Sequence, residues 1–214
     1  MTMTIDDPYV TLAEAKASLS MSSQTYLDAD LTLALLAASR GIDSATGRRF
    51  YPDTDANQVR YYTPDSERIL MIDDVITLTQ VALDRAGSGT FDEVWTNNTE
   101  FVLGPLNAAA DGAPYEYIQV RRFGIGSRSS YRNSFPLTDR GVKVTAKFGW
   151  SAVPAEIKVA TSIIASRLVK RVREAPFGVV FSGGIDSTAA VRIAKTDPDV
   201  APIIAQFTRH RPIV

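Results

Sequence analysis

The stretch of this chain with the richest potential chemistry is Val179-Val-Phe-Ser-Gly-Gly-Ile-Asp-Ser-Thr-Ala-Ala-Val-Arg-Ile. Gly183 and Gly184 lack a Cβ, so their backbone amides can approach a pyrophosphate closely, and Ser182 and Ser187 add hydroxyl donors beside the Asp186 carboxylate. A plainer reading competes with this one: Val179–Lys195 forms two short strands turned by Gly183-Gly184, because Thr188–Lys195 alternates well enough for a strand. Other constellations fall away faster. Asp53-x-Asp55-x-Asn57 opens like a calcium loop, yet Gln58 stands where a glycine is required and Pro64 where the bidentate glutamate belongs. Gly124-x-Gly126 has Ser129 in place of a third glycine, and Asp73-Asp74 reads as a turn rather than an acid/base pair. The one histidine, His210, stands four residues from the C-terminus and there is no cysteine. Histidine-based triads and metal sites, disulfides and thiolate sites are therefore set aside.

The elements that must position any such residues follow from composition and periodicity. With 214 residues, 45% of them hydrophobic, the chain can bury one large core or two small ones. The formal net charge of -1 argues against a dedicated nucleic-acid binder, which would show a strong basic excess. No apolar run approaches a membrane span. The start, Met1-Thr-Met-Thr-Ile-Asp-Asp-Pro, is acidic and poor in apolar residues, which is not a signal-peptide pattern, so a cytosolic protein is expected by default.

Thr11 and Glu14 have the spacing of a capping box, and Leu12, Ala15 and Leu19 then share one face of a first helix. Ser20–Thr25 is rich in turn-forming side chains. A second helix is expected from about Tyr26 to Thr46, roughly 30 Å long, with Leu27, Leu31, Leu35, Ala38, Ile42 and Ala45 on one stripe. Gly47 sits where a left-handed cap would end it, and Gly41 marks a close backbone contact. From Val59 the segments become short and turn-punctuated. Strands are expected at Val59–Tyr62, Ile69–Ile72, Thr77–Asp84, Phe91–Thr96, Phe101–Leu103, Tyr115–Phe123 and Val142–Phe148. The last alternates most cleanly, and Gly87-Ser-Gly89 reads as a hairpin loop. Gly124–Pro136 is a long polar loop made basic by Arg128 and Arg132. After Trp150 the helical period returns. Pro154 suits a first turn, and Ile157, Ala160, Ile164, Leu168 and Val172 form a stripe. Arg167, Lys170, Arg171 and Arg173 crowd the last turn, where cations complement the dipole. Asp197-Pro198 would open a short final helix carrying Val200, Ile203, Ile204 and Phe207. The fold class is thus α+β: a helical bundle, built of an N-terminal helix hairpin and a return helix, with an inserted antiparallel β module. The expected division is a helical core over 1–52 and 149–214, including a C-terminal hairpin and a docking helix, around a β domain over 53–148.

Two resemblances bear on function. Ser182, Gly183, Gly184, Asp186 and Ser187 resemble the phosphate-binding loop of the ATP pyrophosphatases, which implies a nucleotide-binding enzyme. In that family the loop follows the first strand of a doubly wound parallel sheet. Only 27 residues follow Ser187 here, too few for the remaining strands and crossovers, so this stands as the alternative. The arrangement as a whole is similar to the head–tail connector (adaptor) proteins of long-tailed bacteriophages. The likeness is carried by Val10-Thr-Leu-Ala-Glu-Ala-Lys-Ala-Ser-Leu, by Leu31 to Phe50 ending Thr-Gly-Arg-Arg-Phe, by Phe148-Gly-Trp-Ser-Ala-Val-Pro-Ala-Glu-Ile-Lys-Val-Ala-Thr, and by Thr196-Asp-Pro-Asp-Val-Ala-Pro-Ile-Ile-Ala-Gln-Phe. It covers about half of the chain, by packing and capping patterns rather than catalytic ones. It implies a structural virion protein, not an enzyme and without a cofactor. Such a protein is a ring, typically of twelve copies, that docks under the portal protein at the capsid–tail junction after assembly in the host cytoplasm. It meets a stopper or tail-completion protein below, and passes double-stranded DNA without sequence-specific binding, away from any membrane. Val200, Ile203, Ile204, Phe207, Arg209 and Arg211 are then candidates for portal contact. Arg128 and Arg132 are candidates for the channel or a neighbouring subunit, and the basic helix end for the channel lining.

Overall fold

The computed structural model describes residues 3–18, 28–121, 134–174, 185 and 187–209, with side chains throughout except at 172–174. Among them are five helices and one antiparallel sheet of six strands, an α+β chain. The chain divides into two compact units: Met3–Phe50 with Ala152–His210, and Tyr51–Ser151 between them in sequence.

The first unit is helical. Its capping box forms as its spacing requires: the Thr11 amide donates to Glu14 Oε2 at 2.8 Å and the Glu14 amide to Thr11 Oγ1 at 3.2 Å, which starts α1 (Leu12–Ser18). Ala15 is buried there and Leu12 half-buried. Helix α2 (Asp28–Thr46) is the hub, against which α1, α3 (Ala155–Glu174), α4 (Ser187–Thr196) and α5 (Ala201–Phe207) all pack. Its buried set, Leu31, Ala34, Leu35, Ala37, Ala38, Gly41 and Ile42, covers more than the single stripe read from the sequence, because helices close on it from several sides. Gly47 ends it with φ +68°, the left-handed cap. On α3, Ile157, Ala160, Ile164 and Leu168 are buried as the period demands; each large side chain of this kind stabilises by about 1.5–3 kcal/mol.

Two expectations fail in this unit. Ser187–Thr196 is a helix, not the second strand of a hairpin. A strand there would bring Ala190 and Ala194 to one face with Arg192, whereas a helix buries Ala190, Ile193 and Ala194 together. The close contact expected at Gly41 is what seats it: a Cβ on Gly41 would stand 2.4 Å from Ala190 Cβ. The final helix starts later than Asp197-Pro198, at Ala201, with Pro202 in its first turn. Asp197 instead builds a turn, accepting the Asp199 amide on its side chain at 3.0 Å and the Ala201 amide on its carbonyl at 2.8 Å.

The second unit is the sheet, in the order β1 (Gln58–Tyr62), β6 (Val142–Phe148), β2 (Ile69–Leu83), β5 (Tyr115–Val120), β4 (Phe101–Gly104), with β3 (Glu93–Trp95) paired to β2; every strand pair is antiparallel. Val142, Val144, Ala146 and Phe148 are buried and alternate with half-buried Lys143, Thr145 and Lys147, so one face carries the core. The two strands expected at 69–72 and 77–84 are one fifteen-residue strand. Asp73-Asp74 is not a turn but lies inside that strand, where its register against β5 shifts between Met71 and Val75. Phe135, read as part of a polar loop, is fully buried, with its ring 5.1 Å from that of Trp95. Gly149 leaves the sheet at φ +100° with Tyr51 O only 2.1 Å from where a Cβ would be, so no other residue fits there.

Candidate functional site

The C-terminal segment of the helical unit is assembled from three anchors. Arg167, one turn beyond the buried Ile164 on α3, reaches the turn that joins α4 to α5 and pairs with both Asp197 and Asp199. Its Nη2 donates to Asp199 Oδ2 at 2.6 Å. Asp197 is 7% exposed, so the guanidinium neutralises a carboxylate that would otherwise be buried charged. Phe207 then lays its ring edge-on against Phe50, centroids 5.6 Å apart at 88°. Past the helix, the Arg209 amide donates to Thr46 O at 2.9 Å, satisfying a carbonyl at the end of α2.

The sequence-derived contact residues divide accordingly. Val200 and Ile204 are buried within the unit. Ile203 and Phe207 are half-buried, and Pro202, Ala205 and Gln206 are exposed on the same helix. Arg209 is half-buried; Arg211, like Arg128 and Arg132, lies outside the described residues. At the basic helix end, Arg167 serves the ion pairs above rather than a solvated terminus, Arg171 and Lys170 are exposed, and the Arg173 side chain lies outside the described residues. Sequence reasoning missed the outward apolar residues of the two long helices: Leu33 on α2 and Val159 on α3 are 51% and 54% exposed. A search for the buried stripe passes over them, although each breaks the polar face of its helix.

A second polar cluster, also missed, joins the N-terminal segment to α2. The Tyr9 hydroxyl donates to Asp43 Oδ1, and Arg40 Nε lies 3.3 Å from Asp43 Oδ2. Burial pushes the Asp43 carboxyl up to about 6, against the pull of the Tyr9 hydrogen bond and of Arg40 and Arg49. Burial, with Asp43 beside it, also raises the Tyr9 phenol. On the sheet, Arg60 joins Asp73 (2.8 Å) and Asp53 (2.9 Å) while stacking on the Phe148 ring at 3.9 Å. Two of the carboxylates that tempted a calcium or acid/base reading are thus held by one guanidinium. Asp74 is buried and accepts the Trp150 indole N–H at 3.1 Å. Asp84 turns the loop after β2. Although burial opposes it, amides from Gly89, Ser88, Gly87 and Ala86 hold its carboxyl below the usual range.

Of the tempting glycine motif, Ser182, Gly183, Gly184 and Asp186 lie outside the described residues, and Ser187 opens α4. A helix does follow the motif, but the strands beside which such a loop would work in the ATP pyrophosphatases form an antiparallel sheet here. Among the described residues no group of three or more His, Cys, Asp or Glu is placed to hold a metal, and no helix is long and apolar enough to cross a membrane.

No family model matches this chain, and no curated protein does. A solved structure is similar to it: a chain of the "Neck of empty GTA particle computed with C6 symmetry", at TM-score 0.50 and 16% identity, over 96% of this chain and 92% of that one. At that identity the likeness is one of fold.

Proposed function

We propose that this chain is a structural protein of the neck of a phage-like particle, a head-to-tail adaptor. In this reading it forms a ring below the portal protein, extends the DNA channel toward a stopper or tail-completion protein, and catalyses nothing. One observation carries it: a likeness of fold that runs through both units, nearly end to end, to a chain from a particle neck. Six-fold symmetry is shared by rings of six and of twelve, so the neighbour's symmetry accords with a ring of either size.

The helical unit is then the connector core and the sheet an insertion on it. Val200 and Ile204 already spend their surface inside the unit, so they hold α5 in place. Ile203, half-buried on the same helix, and the tail beginning at Arg209 are the candidates for portal contact. Arg171 and Lys170 contribute positive charge to the channel, and Arg128 and Arg132 belong to the channel or to a subunit boundary. A near-neutral net charge suits a conduit, since strong phosphate neutralisation would retain the DNA.

The test is to mix the purified chain with its portal and image the product by electron microscopy. A ring of density seated below the portal is expected, together with filled heads lacking tails when the gene is deleted. A chain that leaves the portal bare, and whose deletion leaves tailed particles intact, would refute the reading.

A further inference from the structure

Phe50 is the residue at which the chain leaves the helical unit, and its amide is held by a side chain 41 residues upstream, near the N-terminus. The Phe50 N–H donates to the Tyr9 hydroxyl oxygen at 3.0 Å, and that hydroxyl donates in turn to Asp43. The Tyr9 amide donates to Ser39 Oγ at 2.9 Å, and Ser39 Oγ to Leu35 O at 2.8 Å. Arg40 reaches across to donate to Ile5 O at 2.6 Å while pairing with Asp43, and its guanidinium lies 5.4 Å from the centroid of the Tyr9 ring. Tyr9 also meets the Phe50 ring edge-on at 5.9 Å. One face of α2, at positions 39, 40 and 43, thus grips residues 3–10, a segment without helix or strand. Within it only Tyr9 and Val10 are buried. The segment therefore depends on this cluster for its side-chain hydrogen bonds to α2, with Tyr9 and Val10 as its buried anchors.

We propose that residues 3–10 form a strap over α2 whose closure is controlled by the protonation of Asp43, so that one carboxyl sets both the freedom of the N-terminal segment and the anchoring of Phe50 at the exit from the unit. The groups facing that carboxyl are the Tyr9 hydroxyl from the strap, Arg40 on α2 and Arg49 beyond it, while α5 reaches the end of α2 through the Arg209 amide. With the strap closed the carboxyl is largely covered by them, its side chain 15% exposed; with the strap lifted it returns to water and to its ordinary value. A carboxyl with a raised value in the closed form binds its proton more tightly there. Closure is therefore strongest below the open-state value and weakens as pH rises through about 6. The opening equilibrium should grow about tenfold between pH 5 and pH 8.

Two measurements on the intact chain decide it. The carboxyl 13C shift of Asp43 should titrate near 6, and the protection factors of the Tyr9 and Phe50 amides, corrected for intrinsic exchange, should fall across that interval. Asp43→Asn should flatten the dependence. Tyr9→Phe removes a hydrogen bond that lowers the Asp43 value, so it should move the midpoint upward, a displacement that a purely structural role would not produce. An Asp43 carboxyl titrating near 4, protection that is flat with pH in the native chain, or a slope that survives in Asp43→Asn would each overturn the proposal. The carboxyl titration needs no variant, so it stands even if a substitution prevents folding.

Discussion

At the scale of single residues, carboxylates are where the fold ties down its own loops and helix starts. Asp84 is the clearest case. Its carboxyl is held low by loop amides, so the stability it contributes is present above its unfolded value and is lost as pH falls through the folded one. Asp84→Asn should lower the melting temperature at pH 7 and make the melting temperature of the sheet unit less sensitive to acid, measured by thermal scans from pH 7 to pH 3. Glu14, whose value the Thr11 amide and hydroxyl and then Lys158 lower to about 2, follows the same sign. Thr11→Ala removes its reciprocal cap and should cost about 1 kcal/mol, read as a shift in the denaturant midpoint at unchanged slope. Gly41 is constrained by space rather than by backbone angle. Gly41→Ala drives a methyl into Ala190 and should destabilise by about 1–3 kcal/mol, with part recovered in Gly41→Ala/Ala190→Gly, where the methyl is moved across the interface.

At the scale of elements, what the sequence made legible is what a single periodicity decides. The alternation of Val142–Phe148 and the stripe Ile157-Ala160-Ile164-Leu168 became β6 and α3 because each faces one core on one side. The capping box and the Gly47 stop also came through, since both are local backbone chemistry. Helix α4 did not, because Ala, Val and Ile at 189–194 satisfy periods of 2 and of 3.6 alike, and the choice is made by Gly41 on another helix. Strand β2 looked like two because Asp73-Asp74 carries turn chemistry, and partners such as Arg60, Tyr62 and Trp150 make it tolerable within a strand. Phe135 was hidden by its polar neighbours. The interface candidates were half legible: an apolar stripe on α5 was evident, but a stripe does not say which of its members already face inward. The Arg167 clamp was unreadable as well, since a basic helix end has a sufficient local explanation. Arg167→Ala leaves Asp197 buried without its cation. Discounting for a guanidinium that is about one-third exposed, it should cost about 1–3 kcal/mol and raise amide exchange in α5, at Ile204 before Leu168.

For the whole molecule, the reading as a neck adaptor predicts where function is lost without loss of fold. Ile203→Asp, at a half-buried side chain, should lower the melting temperature by a few degrees without loss of helical content, yet abolish capture by portal rings in a sedimentation assay. Mg-ATP should leave the melting temperature of the native chain and of Asp186→Ala equal; stabilisation by the nucleotide, lost in the variant, would restore the enzyme reading. One arrangement already described also bears on how the chain is made. Gln58 pairs with Ala146, and the hub helix Asp28–Thr46 is covered by helices from the other end of the chain, at Ala155–Glu174 and Ser187–Thr196. On the ribosome, both units therefore wait for their late-emerging halves, with an edge strand unpaired and greasy helix sides bare for most of synthesis. Truncated or stalled products of this gene should be sticky and short-lived, and a chaperone that binds exposed apolar helix should be found on nascent chains until about residue 196 has cleared the exit tunnel.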